Sequence, residues 1–176
     1  DTPTGGQITI KALQSSIKKV TLVLKGENQV RNITYYNAGD TSTPQTVDSY
    51  LKITDINGDG AVGDGADGGS LYIPYKIETE AEIEAFVATK TNYNHWNAGI
   101  GGIDSQSLVQ NLHIAGGKIQ VVTTLGDNCT AIGAGGNGYC EMLISGGEVI
   151  AHCNGTGAAI GGGIGWNAAG GKSNVT

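Results

Sequence analysis

The sequence predicts an all-β chain folded as a parallel β-solenoid, a β-helix with short three-strand rungs and one small helical insertion. Three observations carry that expectation. Glycine supplies 30 of 176 residues, and 20 of the 30 lie between Gly99 and Gly171. Within that stretch a Gly-rich piece recurs: Asn97-Ala98-Gly99-Ile100-Gly101-Gly102, Thr130-Ala131-Ile132-Gly133-Ala134-Gly135 and Ala158-Ala159-Ile160-Gly161-Gly162-Gly163, with isoleucines 32 and 28 residues apart. A second, alternating piece recurs between its copies, Leu112–Val121 being matched 30 residues later by Met142–Ala151. Strands this short cannot bury an apolar face alone, whereas stacked copies bury a continuous column of Ile, Leu and Val.

The elements follow in order. Gly6–Ile10 and Lys19–Leu24 alternate with period two and are rich in β-branched residues, the pattern of strands with one buried face. Gly26-Glu27-Asn28 reads as a turn, and further strands are expected at Gln29–Ile33, Ser49–Thr54 and Ser70–Tyr75, giving less regular rungs over residues 6–75. Lys76–Lys90 breaks the pattern. Thr79-x-x-Glu82 is a capping box, and Ile83, Phe86 and Val87 follow at helical spacing. A strand competes, because Ile77, Thr79, Ala81, Ile83, Ala85 and Val87 fall at every second position, with glutamates between the first five; the Ala and Glu content favours helix. The insertion is expected to span 76–97 and to pack on or cap the stack. The Gly-rich repeats occupy 98–176, each unit reading as A-I-G, L-x-I and x-V/I-x strands separated by glycine turns. A third copy of the second piece starts at Asn174-Val175-Thr176, which predicts a single domain over 1–176 that is truncated within a repeat.

Composition narrows the function classes. A third-position glycine period is absent and only 3 prolines occur, so collagen is excluded. Ten basic residues against 16 acidic ones give a net charge of -6 without a basic stripe, which argues against nucleic acid as a partner. No run approaches the roughly 18 apolar residues of a transmembrane helix, so no membrane insertion is expected. The start, Asp1-Thr2-Pro3-Thr4, lacks the features of a signal peptide, so an exported protein would be represented here by its mature part.

The sharpest local signal is the loop Asp55-Ile56-Asn57-Gly58-Asp59-Gly60-Ala61-Val62-Gly63-Asp64-Gly65-Ala66-Asp67. Oxygen ligands at positions 1, 3 and 5 with glycine at 6 suit calcium, through Asp55, Asn57, Asp59, the Ala61 carbonyl and either Asp64 or Asp67. Position 12 departs from the pattern, since Ala66 stands where the bidentate acid belongs. A solvated Asp/Gly turn is the competing reading.

Among aromatic residues, the cluster Tyr93-Asn94-His95-Trp96-Asn97 stands out. Exposed rings beside amides suit stacking on sugars or anchoring a protein, so Tyr93, His95, Trp96 and Asn97 are candidate ligand-binding residues; rings packed beneath the insertion are the alternative. His95, His113 and His152 show no zinc spacing, and no nucleophile elbow or phosphate loop is present. Cys129, Cys140 and Cys153 fit no metal motif; stacked core thiols are favoured over one disulfide with a spare thiol. Four N-x-T triplets, at Asn32, Asn128, Asn154 and Asn174, read as accidents of Thr- and Asn-rich strands.

Lys19–Asn28, Gly69–Ile73 and the alternation of A-A-I-G-G-G with L-I-S-G-G-E-V-I-A resemble the β-helical Gly-Gly-Ile repeat domains of large secreted surface proteins from anaerobic Gram-positive bacteria. The resemblance covers most of 6–176. It implies a carbohydrate-binding or adhesin-like role outside the cell or at its surface, with other domains of a larger chain as neighbours.

Together these readings point to a non-catalytic module that recognises a polysaccharide or a host glycoprotein, including a mucosal immunoglobulin, with calcium as a structural ion. A structural stalk is the runner-up. A polysaccharide-degrading enzyme is a further alternative, but it needs carboxylates projecting together from successive rungs. The repeats offer Asp104, Asp127, Glu141 and Glu148, and only Glu148 aligns with a charged residue, Lys118.

Overall fold

Alternation puts Val20, Leu22 and Leu24 on one side of their strand and Lys19, Thr21 and Val23 on the other, and the same division recurs in Gln7–Ala12 and Gly26–Gln29. The computed structural model describes residues 6–12, 17–37, 46–56, 68–88, 97–103, 108–123, 130–136, 138–154, 157–163 and 173–176. They form a mostly β structure of three parallel sheets and one short helix. In chain order the elements are β1 (Gln7–Ala12), β2 (Lys19–Leu24), β3 (Gly26–Gln29), β4 (Asn32–Asn37), β5 (Tyr50–Asp55), β6 (Gly69–Ile73), α1 (Glu80–Ala88), β7 (Ile100–Gly101), β8 (Val109–Ile114), β9 (Lys118–Thr123), β10 (Ile132–Gly133), β11 (Cys140–Ile144), β12 (Glu148–Cys153), β13 (Ile160–Gly161) and β14 (Ser173–Val175).

Every strand hydrogen-bonds to the strand three places away in the chain. The first sheet runs β1-β4-β7-β10-β13, the second β2-β5-β8-β11-β14 and the third β3-β6-β9-β12. The repeats read from sequence are thus in register: Ile132 pairs with both Ile100 and Ile160, and Leu112 with Met142. Ile33 pairs with Ile100 and Ile8 with Ile33, so the isoleucine row crosses all five strands of the first sheet. One apolar cluster draws on all three sheets, including Ile33, Leu51, Leu71, Ile100, Leu112, Ile119 and Ile132.

Beside the isoleucines runs a second row, Thr9–Thr34–Gly101–Gly133–Gly161. Its three glycines have φ of 130°, 141° and 131°, a conformation that L side chains rarely adopt. A Cβ on Gly101 would strike the Gly133 carbonyl, and one on Gly133 the Gly161 carbonyl. The A-I-G signature therefore pairs a buried isoleucine with a backbone that turns where only glycine fits.

The corner between the second and third sheets is also glycine-built. Residues 115–117 and 145–147 connect β8 to β9 and β11 to β12, with Gly117 and Gly147 at φ of 87° and 86°. Gly26, at 61°, makes the equivalent corner before β3. The expected turn at Gly26-Glu27-Asn28 is corrected here: the change of direction is confined to Lys25 and Gly26, and Gly26–Gln29 is a strand paired with β6. The Asn28 amide reinforces this corner by donating to the carbonyls of Lys25, Gly26 and Ser70. The strand expected at Gln29–Ile33 is accordingly two strands, separated at Val30 and Arg31.

Helix α1 confirms the helical reading of the insertion over the strand alternative. Thr79 Oγ1 accepts from the Glu82 N–H at 3.2 Å, and Glu82 accepts from the N–H groups of Glu78 and then Thr79, which hold its carboxyl below the usual range. Ile83, Phe86 and Val87 face Val122 of β9 together with Tyr75 and Ile77. Gln120 secures the approach: its amide donates to the Ile77 carbonyl at 2.8 Å and accepts from the Ile77 N–H at 2.9 Å, imitating a strand partner. Hence β9 is buried on both faces, while β12 beside it is half-buried along its length. Lys118 and Glu148 align as expected, 3.5 Å apart.

Cys140 lies in the core with its thiol pushed up to about 12 by burial, and Cys153 packs against that core. Tyr35 is likewise buried and pushed up to about 12. Its hydroxyl donates to the Gln110 carbonyl at 2.7 Å. Asn32 is buried and donates to Thr34, so its triplet is closed to modification in the folded chain.

Two predictions follow from this packing. Ile132→Ala should cost about 2–5 kcal/mol, and Ile160→Ala less, because Ile160 is only half-buried at the end of the row. Gly133→Ala should abolish the folding of these rungs; a urea midpoint equal to the wild type's would refute the role of the glycine row. The second prediction concerns pH. The unfolded chain releases the Cys140 and Tyr35 protons at lower pH than the folded chain, so the stability these two groups contribute is present below about pH 9 and is lost as pH rises toward 12. Each group contributes about 1.4 kcal/mol per pH unit beyond its unfolded value. Urea midpoints at pH 8 and 10.5 measure the loss, and Cys140→Ala should reduce it.

Candidate ligand-binding cleft

The outward rows of the second sheet carry a chemically varied surface. Inward positions of β5, β8 and β11 are Leu51 and Ile53, Leu112 and Ile114, and Met142; alternation then turns Tyr50 and Lys52, Asn111 and His113, and Glu141 and Leu143 outward. Register aligns Lys52, His113 and Leu143 across three neighbouring strands. These residues line a cleft of about 670 Å³ together with Val47, Asp48, Leu112, Met142 and Thr176. Tyr50 is 37% exposed and Leu143 41%, so the cleft has apolar surface on two of its strands.

A bulge shapes this surface. Cys140 pairs with Val109 and Met142 with Leu112, leaving Gln110 and Asn111 opposite Glu141 alone. The extra residue, Asn111, has φ of 58°, a left-handed conformation that asparagine tolerates better than most residues. Its amide donates to the carbonyls of Val47 and Ser49 at 3.0 and 3.1 Å, tying the segment before β5 against the sheet as one wall of the cleft. Gln110 is buried. Its N–H donates to Asn37 Oδ1 and its side-chain amide to Glu141 Oε2, each at 3.0 Å, so Glu141 is braced from below.

His113 Nε2 lies 2.7 Å from Ser145 Oγ. Desolvation, and then the charge of Lys52, hold the His113 imidazole below its usual pKa. A triad base has a carboxylate neighbour that stabilises its imidazolium. His113 has a cationic neighbour instead, so the pair lacks the electrostatics of a nucleophilic dyad and serves as a neutral hydrogen-bonding group at pH 7.

The residues expected from sequence lie elsewhere. Asp55 ends β5 on the inward row, paired with Leu24, buried to 2% exposure with its carboxylate against Gly116. Asn57, Asp59, Ala61, Asp64 and Asp67 lie outside the described residues, as do Tyr93, His95, Trp96 and Cys129. Among the described residues, no three His, Cys, Asp or Glu side chains are grouped as a metal site. Asn97 is half-buried and bridges Ile103 next to β7, away from the cleft. In chain order residues 56–68 separate β5 from β6, where three residues separate β8 from β9 and β11 from β12.

Sequence reasoning missed Tyr50, Lys52, Asn111, His113 and Glu141 as a group. The available signal was the middle residue of each L-x-I piece, which faces outward in every copy.

Replacing Lys52 by Met should raise the His113 pKa without restoring its usual value, since desolvation remains the larger cause. Titration of the imidazole resonances by NMR checks this, and an unchanged value would remove Lys52 as a neighbour. Compared with protein-family models, curated proteins and solved structures, the chain matches none.

Proposed function

We propose that the chain is a β-solenoid binding module of a bacterial surface or secreted protein, non-catalytic, recognising a polysaccharide or a host glycoprotein. The observation that carries this reading is the cleft on the second sheet, where exposed Tyr50 and Leu143 accompany Lys52, Asn111, His113, Asp48 and Glu141. Apolar surface beside convergent hydrogen-bonding groups is the chemistry that glycan recognition requires. The three-place pairing of strands supports the solenoid, because the chain then visits the three sheets in rotation. A rigid, extended face of this kind suits a long ligand.

Calcium bound by the Asp55–Asp67 loop is part of the proposal, on the spacing of Asp55, Asn57 and Asp59. Absence of catalysis rests on the cleft's electrostatics: Glu141 is occupied by Gln110, and the neighbour of His113 is a lysine.

Retention of the purified chain on immobilised plant and microbial polysaccharides and mucosal glycoproteins, with calcium and with chelator, tests the proposal. Binding to one class, weakened by chelator, is the expected result. Equal binding under both conditions would remove the ion, and no binding under either would leave the structural stalk.

A further inference from the structure

We infer that the cleft on the second sheet takes an uncharged, hydroxyl-rich saccharide chain lying across the strands, stacked on Tyr50 and held by both donors and acceptors. The inference rests on the binding-module reading and adds the ligand's charge class and orientation. Orientation comes from register. Lys52, His113 and Leu143 occupy consecutive strands, and β14 continues the row to Thr176. With strands about 4.8 Å apart, that row extends roughly 14 Å along the stack, enough for an oligosaccharide of a few rings. Tyr50, two residues before Lys52 on the same face, stands at the β5 end, and Leu143 on β11 provides apolar contact further along.

The charge class comes from the lining. Asp48 and Glu141 are acceptors when ionised, Lys52 is a donor, and His113 and the Tyr50 hydroxyl can serve as either. The Asn111 amide is committed to Val47 and Ser49, which leaves its oxygen to accept. An anionic sugar facing this cleft meets two carboxylates and a chain of net charge -6. A cationic amino sugar meets Lys52 at the β5 end of the row. A hydroxyl group donates and accepts at once, so neutral sugars satisfy the mixed lining without an unpaired charge.

Calorimetric titration at pH 7 with neutral cello-, xylo- and manno-oligosaccharides, acidic oligogalacturonate and cationic glucosamine oligomers separates the outcomes. Binding of a neutral series, unchanged between low and high salt, is expected. Tyr50→Ala should weaken it about ten-fold while Tyr50→Phe stays close to wild type, because the ring supplies the stacking face. Leu143→Lys, on an exposed position, should also weaken it, whereas Val23→Thr, outward on β2 and outside the cleft, should not. Thermal melting of each variant confirms that it folds. Binding confined to the acidic or cationic series, or falling steeply with salt, would overturn the charge assignment and leave the binding module standing. Neutral binding insensitive to Tyr50→Ala and Leu143→Lys would overturn the location. Binding of no series would overturn this inference, and failure on the wider polysaccharide and glycoprotein panel would overturn the module itself.

Discussion

Stacking of Ile8, Ile33, Ile100, Ile132 and Ile160 in one register is the constraint on which the remaining structure depends. In a parallel stack a one-residue slip would exchange inward and outward rows on every strand that follows. The neighbouring glycines forbid that slip in the later rungs. Their left-handed backbone and their closeness to the carbonyl of the next rung leave no space for a side chain, so the isoleucines can occupy only the adjacent position. Apolar burial supplies the driving force, and glycine sterics select the register.

From that register the surface chemistry follows. In the third sheet β9 is covered: Gln120 fastens Ile77 by two hydrogen bonds, and α1 closes over Val122. The second sheet remains open on its outward side, and there the same alternation that buries Leu51, Leu112 and Met142 exposes Tyr50, Lys52, His113 and Leu143. The bulge at Asn111 then does two things at once. It carries Asn111 outward to hold the segment at Val47–Ser49, and it places buried Gln110 where its amide braces Glu141 and its carbonyl receives the Tyr35 hydroxyl. The wall of the cleft and the buried polar contacts beneath it are therefore one construction.

Insertions fall at corners, where the rungs tolerate them. Residues 56–68 lengthen the connection between β5 and β6, and the segment containing α1 lengthens that from β6 to β7. Lengthening a surface connection costs little entropy relative to interrupting a strand. Sequence elements without a match in the repeats thus sit between strands, and the register above and below them is kept.

Much of the fold was legible because its causes are local or periodic. Glycine sterics mark each A-I-G strand, period-two alternation marks the longer strands, and Thr79 with Glu82 marks the start of α1. The Gly26–Gln29 strand was not legible: a Gly-Glu-Asn string has turn composition, and only pairing with β6 makes it a strand. Nor did Ile33 and Ile8 announce themselves as members of the isoleucine row, since Thr34 and Thr9 stand where later rungs carry glycine. The cleft lay beyond sequence reasoning for a stronger reason. Tyr50, Asn111, His113 and Glu141 are distributed over some 90 residues and share a surface only when β5, β8 and β11 are adjacent. Sequence alone determined which residues face inward and where the repeats turn, because those follow from each strand's own alternation and backbone sterics. Tertiary structure decided which outward residues meet, because that depends on inter-rung register and on a single extra residue at the bulge.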